Sequence, residues 1–267
     1  MAKIEVPTAE NPNSLKDVFE RYYKIVQILR KECPWDREQS NESIAPLLIE
    51  ESYELIESIH KKNDKDFMKE LGDVLLHIVM HSIISEEREA FNLIDVINGN
   101  AHKMVTRHPH VFGEITAENG DEVTKNWEQI KMKEGQNSVL DGVPQSMPSL
   151  LRAERIQHKA SRMGFDWDNV EDVWAKVYEE FDEFKVEVEK GDQKASEEEF
   201  GDLIFALVNL ARYKGIVAED SLMKTNEKFT RRFQYIERKA KENNRNLQDM
   251  TLQEMDVFWD EAKDLGL

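Results

Sequence analysis

Glycine, proline and cysteine are all scarce in this chain of 267 residues. The 11 glycines and 7 prolines amount to about half the usual share of roughly 12%. So few chain breakers, among many Glu, Lys and Leu, favour helices over strands. The single cysteine, Cys33, excludes an intramolecular disulfide framework and a cysteine-based zinc site. A reducing compartment, the cytoplasm, is the simplest expectation. No basic, apolar leader opens the sequence, so no secretory signal is expected. The longest apolar run, Leu203 to Val208, is far short of the roughly 20 residues a membrane helix needs. Positive charge is also in deficit: 36 Lys and Arg stand against 54 Asp and Glu, a net charge of −18. Such a field repels nucleic acid and argues against a DNA or RNA binder. An anionic small substrate would need bound cations, or local Lys and Arg, to neutralise it.

What the sequence does have is a repeat. Glu50-Glu51-x-x-Glu54, followed by Glu70-x-Gly72-Asp73, recurs as Glu179-Glu180-x-x-Glu183, followed by Glu199-x-Gly201-Asp202. Every position is displaced by 129 residues, so no insertion separates the two motifs in either copy. Lys103-x-x-x-Arg107 recurs as Lys228-x-x-x-Arg232, displaced by 125. Trp35-Asp36 has a looser counterpart in Trp167-Asp168. Two domains of one ancestral unit is the economical reading. Residues 1–13 read as a loose tail, and Ser14 as the cap of the first helix. The Gly, Pro and Ser concentration at 135–149 reads as a linker between domains at 14–134 and 150–267.

The repeated carboxylates fall on apolar helices. With Ser43–Lys61 as a helix, Ile44, Leu47, Leu48, Leu55 and Ile59 share one stripe, and Glu51 and Glu54 project within or beside it. A second helix over Lys65–Glu86 carries Phe67, Leu71, Val74, Leu75 and Ile78, with Glu70 and Asp73 on one edge. Gly72 lowers helix propensity there, and a close approach by a neighbouring helix or a ligand would offset that cost. The short polar join predicts antiparallel packing, so that two carboxylates from each helix converge. Glu180, Glu183, Glu199 and Asp202 repeat the arrangement. Burying an uncompensated carboxylate is costly, which calls for a proton or a cation. Four converging carboxylates suit a hard divalent cation with oxygen ligands, such as Mg²⁺. A solvated acidic helix face is the alternative, and the duplication on an apolar stripe weighs against it.

Lys228 and Arg232 lie one helical turn apart and suit phosphate, after a metal motif in both copies. No Gly-x-x-x-x-Gly-Lys-Ser/Thr or Gly-x-Gly-x-x-Gly occurs, so no glycine loop cradles phosphate. Trp259 suits either base stacking or helix packing. His77 and His81 follow Asp73 along one edge, but the second copy has Ala206 and Leu210 there, so the shared chemistry does not need them.

CPWDREQ, LIEESYEL, KELGDVLLHIV, RHPHVF, NWEQIK, MPSLLRAERIQ, GFDW, VYEEFDE, EEEFGDLIFALVNLAR and NEKFTRRF together resemble the MazG family of nucleoside triphosphate pyrophosphohydrolases, from about residue 15 onward. The resemblance implies an all-α chain of two tandem helical-bundle domains, with four-helix bundles completed by homodimerisation. It implies hydrolysis of NTPs and dNTPs, ATP among them, between the α- and β-phosphates, as nucleotide-pool housecleaning. It implies Mg²⁺, with Mn²⁺ as a substitute, and catalysis in the C-terminal domain. Carried over by motif, Glu180, Glu183, Glu199 and Asp202 would be metal ligands, with Glu179, Glu180 and Glu183 catalytic. Lys176, Lys228, Arg232 and Trp259 would meet the nucleotide. Glu51, Glu54, Glu70, Asp73, Lys103 and Arg107 would form a second, N-terminal site. One position departs from the family pattern: Ala195 stands where a lysine is frequent, with Lys194 one residue earlier. Two rivals remain: a non-catalytic acidic helical scaffold, and a di-metal carboxylate oxidase. The oxidase wants a Glu-x-x-His that neither copy has.

Overall fold

The computed structural model describes residues 4–267 except 115, 117–118, 121, 124–126, 128–129, 131–134 and 136. Helices account for all the regular structure among the described residues. The chain divides into two compact units, residues 1–116 and 117–267. Of the NWEQIK motif only Trp127 and Ile130 are described, and residue 134, read as the first domain's end, lies outside the described set. Residues read as linker belong to the second unit. Asp141 accepts from the backbone N–H groups of Asn137 and Ser138, at 2.8 Å each.

The first unit runs α1 (Leu15–Glu32), a short α2 (Pro34–Glu38), α3 (Asn41–Lys61), α4 (Asp64–Glu87), α5 (Leu93–Arg107) and a short α6 (Pro109–Phe112). Ser14 caps α1 by accepting from the Asp17 N–H, as its position predicts. Helices α3 and α4 form the central antiparallel hairpin, and α1 and α5 pack on α4. Val26, Ile44, Val79, Met80, Ile83, Ile84 and Leu93 make the core.

The second unit repeats the hairpin. It runs α7 (Ser149–Ser161), α8 (Val170–Lys190), α9 (Gln193–Tyr213), α10 (Ala218–Glu242), a 3₁₀ turn (Leu247–Asp249) and α11 (Leu252–Asp264). Its core is Val173, Val177, Leu203, Ala206 and Leu210. The repeat extends to the turns. Lys62 and Gly191, 129 residues apart, end α3 and α8 in the left-handed conformation, with φ of 52° and 74°. The next residues, Asn63 and Asp192, cap α4 and α9 through their side chains. A turn this tight fixes which residues of the two helices face each other.

Several expected features differ. Ile59, Leu71 and Ile78 are exposed, because the apolar stripes are wider than the unit's own helices cover. A Cβ added at Gly72 or Gly201 would meet nothing within 4 Å, so the expected close helix approach is not made by the described residues of the chain. No helix among the described residues is long and apolar enough to cross a membrane.

Candidate functional site

The hairpin turns bring carboxylates together in both units. Glu51 from α3 meets Glu70 and Asp73 from α4, and their nearest ligand oxygens lie within 4.8 Å of one another. Glu180 from α8 meets Glu199 and Asp202 from α9 in the same way. In each group one carboxylate is buried: Glu70 is 6% exposed and Glu180 is 7% exposed. Glu70 Oε2 has no hydrogen-bond partner. Burial, followed by repulsion from Asp73, Glu54 and Glu70, raises the Glu51 carboxyl above its ordinary range. Burial, followed by Glu183, Asp202 and Glu180, raises Glu199 likewise. Several hard oxygens crowded at this spacing fit a divalent cation, which would relieve their repulsion.

Glu54 and Glu183 stand outside these groups and are exposed. A three-residue step turns a side chain by about 60° around the helix, enough to carry it off the contact line. Glu183 stays near enough to be the largest charge acting on Glu199.

One lysine serves each group, and the two come from different helices. In the first unit Lys69 Nζ lies 2.9 Å from Glu70 and 3.3 Å from Asp73, both on its own helix α4. In the second, Lys176 Nζ on α8 lies 2.8 Å from Glu179 and 2.7 Å from Glu180. These bonds hold both ammonium groups well above the ordinary lysine range. At the 129-residue offset, Lys69 corresponds to Glu198 and Lys176 to Leu47. Lys69 could have been found from its spacing to Glu70 and Asp73. Lys194 is 88% exposed on its side chain and faces Glu198 at 3.8 Å, so it does not join the carboxylate group.

A cavity of about 200 Å³ adjoins the second group and shares Lys176, Glu180 and Asp202 with it. Its far walls are Ile156, Gln157 and Ala160 of α7, Phe165 and Trp167 of the following loop, and Phe205, Ala206, Asn209 and Arg212 of α9. Arg212 grips Asp166 with two bonds, 2.9 and 2.6 Å, pinning the aromatic loop to α9. Sequence reasoning missed this wall. The GFDW and RAERIQ motifs carried the signal, but only the packing shows that they face each other. In the first unit the positions of Asn209 and Arg212 hold Met80 and Ile83, both buried in the core.

The remaining predicted residues lie elsewhere. Trp259 of α11 packs against Phe229 of α10, ring centres 5.2 Å apart. The Arg232 guanidinium sits 5.5 Å from the Trp259 ring centre and donates to the Leu267 carbonyl at 2.7 Å. Lys228 is exposed on the same helix. None of the three lines the cavity. Lys103 and Arg107 lie on α5, outside the first carboxylate group. His77 and His81 also stand outside it. His77 is buried, and His81 Nδ1 lies 2.9 Å from the Asn41 side-chain amide.

The fold and site define a class: an all-α protein with a duplicated helical hairpin, each copy bearing a carboxylate cluster. The family model described as the MazG nucleotide pyrophosphohydrolase domain matches twice, at residues 39–112 and 168–236, and the chain belongs to that family. A nucleoside triphosphate pyrophosphohydrolase of Escherichia coli (strain K12) is 42% identical over 254 residues, 92% of this chain and 97% of that protein. The nucleoside triphosphate pyrophosphohydrolase/pyrophosphatase MazG of Thermotoga maritima is 41% identical over 251 residues, 92% of this chain and 96% of the relative.

Proposed function

We propose that the second unit hydrolyses nucleoside triphosphates between the α- and β-phosphates, releasing a nucleoside monophosphate and pyrophosphate, with Mg²⁺ as the required ion. The observation that carries this reading is the junction of an apolar, aromatic-walled cavity with a carboxylate cluster through Lys176, Glu180 and Asp202. A base held in the cavity would set its triphosphate at the carboxylates. The names of the two relatives point to the same substrate class.

Glu180, Glu199 and Asp202 would hold the Mg²⁺, with Glu183 beside them and Mn²⁺ as a substitute. When bound, the ion offsets the charge of the triphosphate and acidifies a water. Glu179, exposed and paired with Lys176 at 2.8 Å, would take that water's proton. The water oxygen bonds to the α-phosphorus, the bond to the bridging oxygen breaks, and pyrophosphate leaves with the electron pair. Lys176 places a positive charge at the junction, where negative charge builds up.

Lys228, Arg232 and Trp259 do not line the cavity, and would meet parts of the nucleotide that extend beyond it at a further surface. A homodimer would provide that surface. Tyr178, Phe181 and Phe200 on the hairpin, and Phe229 on α10, form exposed apolar area that a second copy would cover. Clearing unwanted nucleotides in the cytoplasm is the cellular role that fits.

The test is incubation with a panel of NTPs and Mg²⁺, with products separated by chromatography. Monophosphate and pyrophosphate support the reading. Diphosphate and orthophosphate move the attack to the γ-phosphorus and overturn it. No turnover on any nucleotide leaves an acidic helical scaffold.

A further inference from the structure

Gln157 sits in the middle of α7, 7% exposed, and lines the cavity. Its Nε2 donates to the Phe205 backbone carbonyl at 2.8 Å. That bond fixes the amide, because turning it over would set oxygen against oxygen. Oε1 is thereby held as an acceptor, buried and without a partner. Such a group is rare in a settled interior and asks for a donor. Asn209, 5% exposed, lines the same cavity. Its Oδ1 accepts from Arg212 Nε at 2.9 Å, leaving its NH₂ as the group able to donate. Besides the charged Lys176, Glu180, Asp202 and Arg212, the residues lining the cavity therefore keep one acceptor, on Gln157, and one donor, on Asn209, among apolar and aromatic side chains.

Resting on the pyrophosphohydrolase reading above, we propose that Gln157 is a specificity-determining residue that accepts a hydrogen bond from an N–H on the edge of the base. Asn209 donates to the acceptor beside that N–H. Every natural base presents such a donor next to an acceptor, so the pair anchors bases in general and rejects rings without an N–H. Lys176 and the carboxylates do not supply this selection, since they face the phosphates. The first unit has Met80 at the Asn209 position, so the pair belongs to the second unit alone.

The experiment compares kcat/KM for ATP with that for purine riboside triphosphate, which lacks only the exocyclic amine. CTP is compared with 2-pyrimidinone riboside triphosphate in the same way. The wild type should favour the amine-bearing member of each pair by about 10- to 100-fold, the usual cost of leaving a buried polar group unpaired. Gln157→Met, close in volume, should bring both ratios to within about twofold of unity while still turning over the amine-free analogues. Equal rates within each pair for the wild type overturn the proposal without any variant. So does an unchanged ratio in Gln157→Met. A preference that instead follows ATP over dATP, and vanishes in the variant, moves the contact to the sugar and also overturns it. Titration of the same nucleotides by tryptophan fluorescence separates the two levels. Amine-dependent binding without turnover removes the hydrolytic reading and keeps the anchor. Absence of both removes both.

Discussion

Glu199 and Asp166 are charged side chains with opposite effects on stability. Glu199 has a carboxyl raised above its ordinary range, first by burial and then by Glu183 and Asp202. The folded state therefore holds that proton more tightly than the unfolded state. Stability must fall as pH rises from the ordinary carboxylate value through the raised one, and the penalty is complete above it. Glu199→Gln should raise the Tm of metal-free protein at neutral pH, and the gain should vanish below about pH 4. A lower Tm at neutral pH, by calorimetry, would contradict the sign. The same change should abolish hydrolysis, the usual exchange of stability for function at a charged site. Asp166 is the opposite case. It neutralises an Arg212 side chain that is only 7% exposed, while itself 27% exposed. Asp166→Asn leaves a buried cation poorly paired, and should cost about 2–3 kcal/mol, below the full range for a wholly buried pair. Urea unfolding followed on the second unit should show it, and a loss under about 0.5 kcal/mol would mean that the pair is screened.

At the scale of the element, the hairpin turn sets the site. Lys62 and Gly191 occupy equivalent positions with left-handed backbones. Glycine adopts that conformation without strain, whereas lysine pays roughly 1 kcal/mol for its Cβ. Lys62→Gly should therefore stabilise the first unit by about 0.5–1 kcal/mol, and Gly191→Ala should destabilise the second by a similar amount. Denaturant midpoints of the two variants should shift in opposite directions. A lower midpoint for Lys62→Gly together with a higher one for Gly191→Ala would show that the unfolded chain's entropy dominates at both turns.

At the scale of the whole chain, the two units share a carboxylate cluster but not a cavity wall. Lys176, Asn209 and Arg212 have Leu47, Met80 and Ile83 as counterparts. If the cavity holds the base, only the second unit is equipped for turnover. Glu180→Gln should then reduce kcat by more than about 100-fold, beyond the loss typical of a residue behind a metal ligand. Glu51→Gln should leave kcat within about twofold. Comparable losses in steady-state assays of the full chain would instead make both units catalytic. In the first unit Lys69 bridges Glu70 and Asp73, where the second unit has Lys176 on the facing helix.

The sequence by itself determined the helical class, the duplication and the two hairpins. Helical periodicity, caps and a constant offset are local properties, and each is written in residues a few positions apart. It also placed Glu51, Glu70 and Asp73 on facing helices, and Glu180, Glu199 and Asp202 likewise, because a short turn leaves an antiparallel pair little freedom. Only the tertiary structure decided which carboxylates meet. Glu54 and Glu183 share the motif and act on Glu51 and Glu199 as charges, but are exposed and outside the close groups, since spacing sets an angle around a helix and not what covers it. The exposure of Ile59, Leu71 and Ile78 has the same origin. The cavity was decided there as well. Gln157, Asp166, Asn209 and Arg212 come from two helices and a loop, and nothing in their separations along the chain says that they share a wall. Charge and periodicity are summed along the sequence, whereas a pocket is made by what packing leaves unfilled.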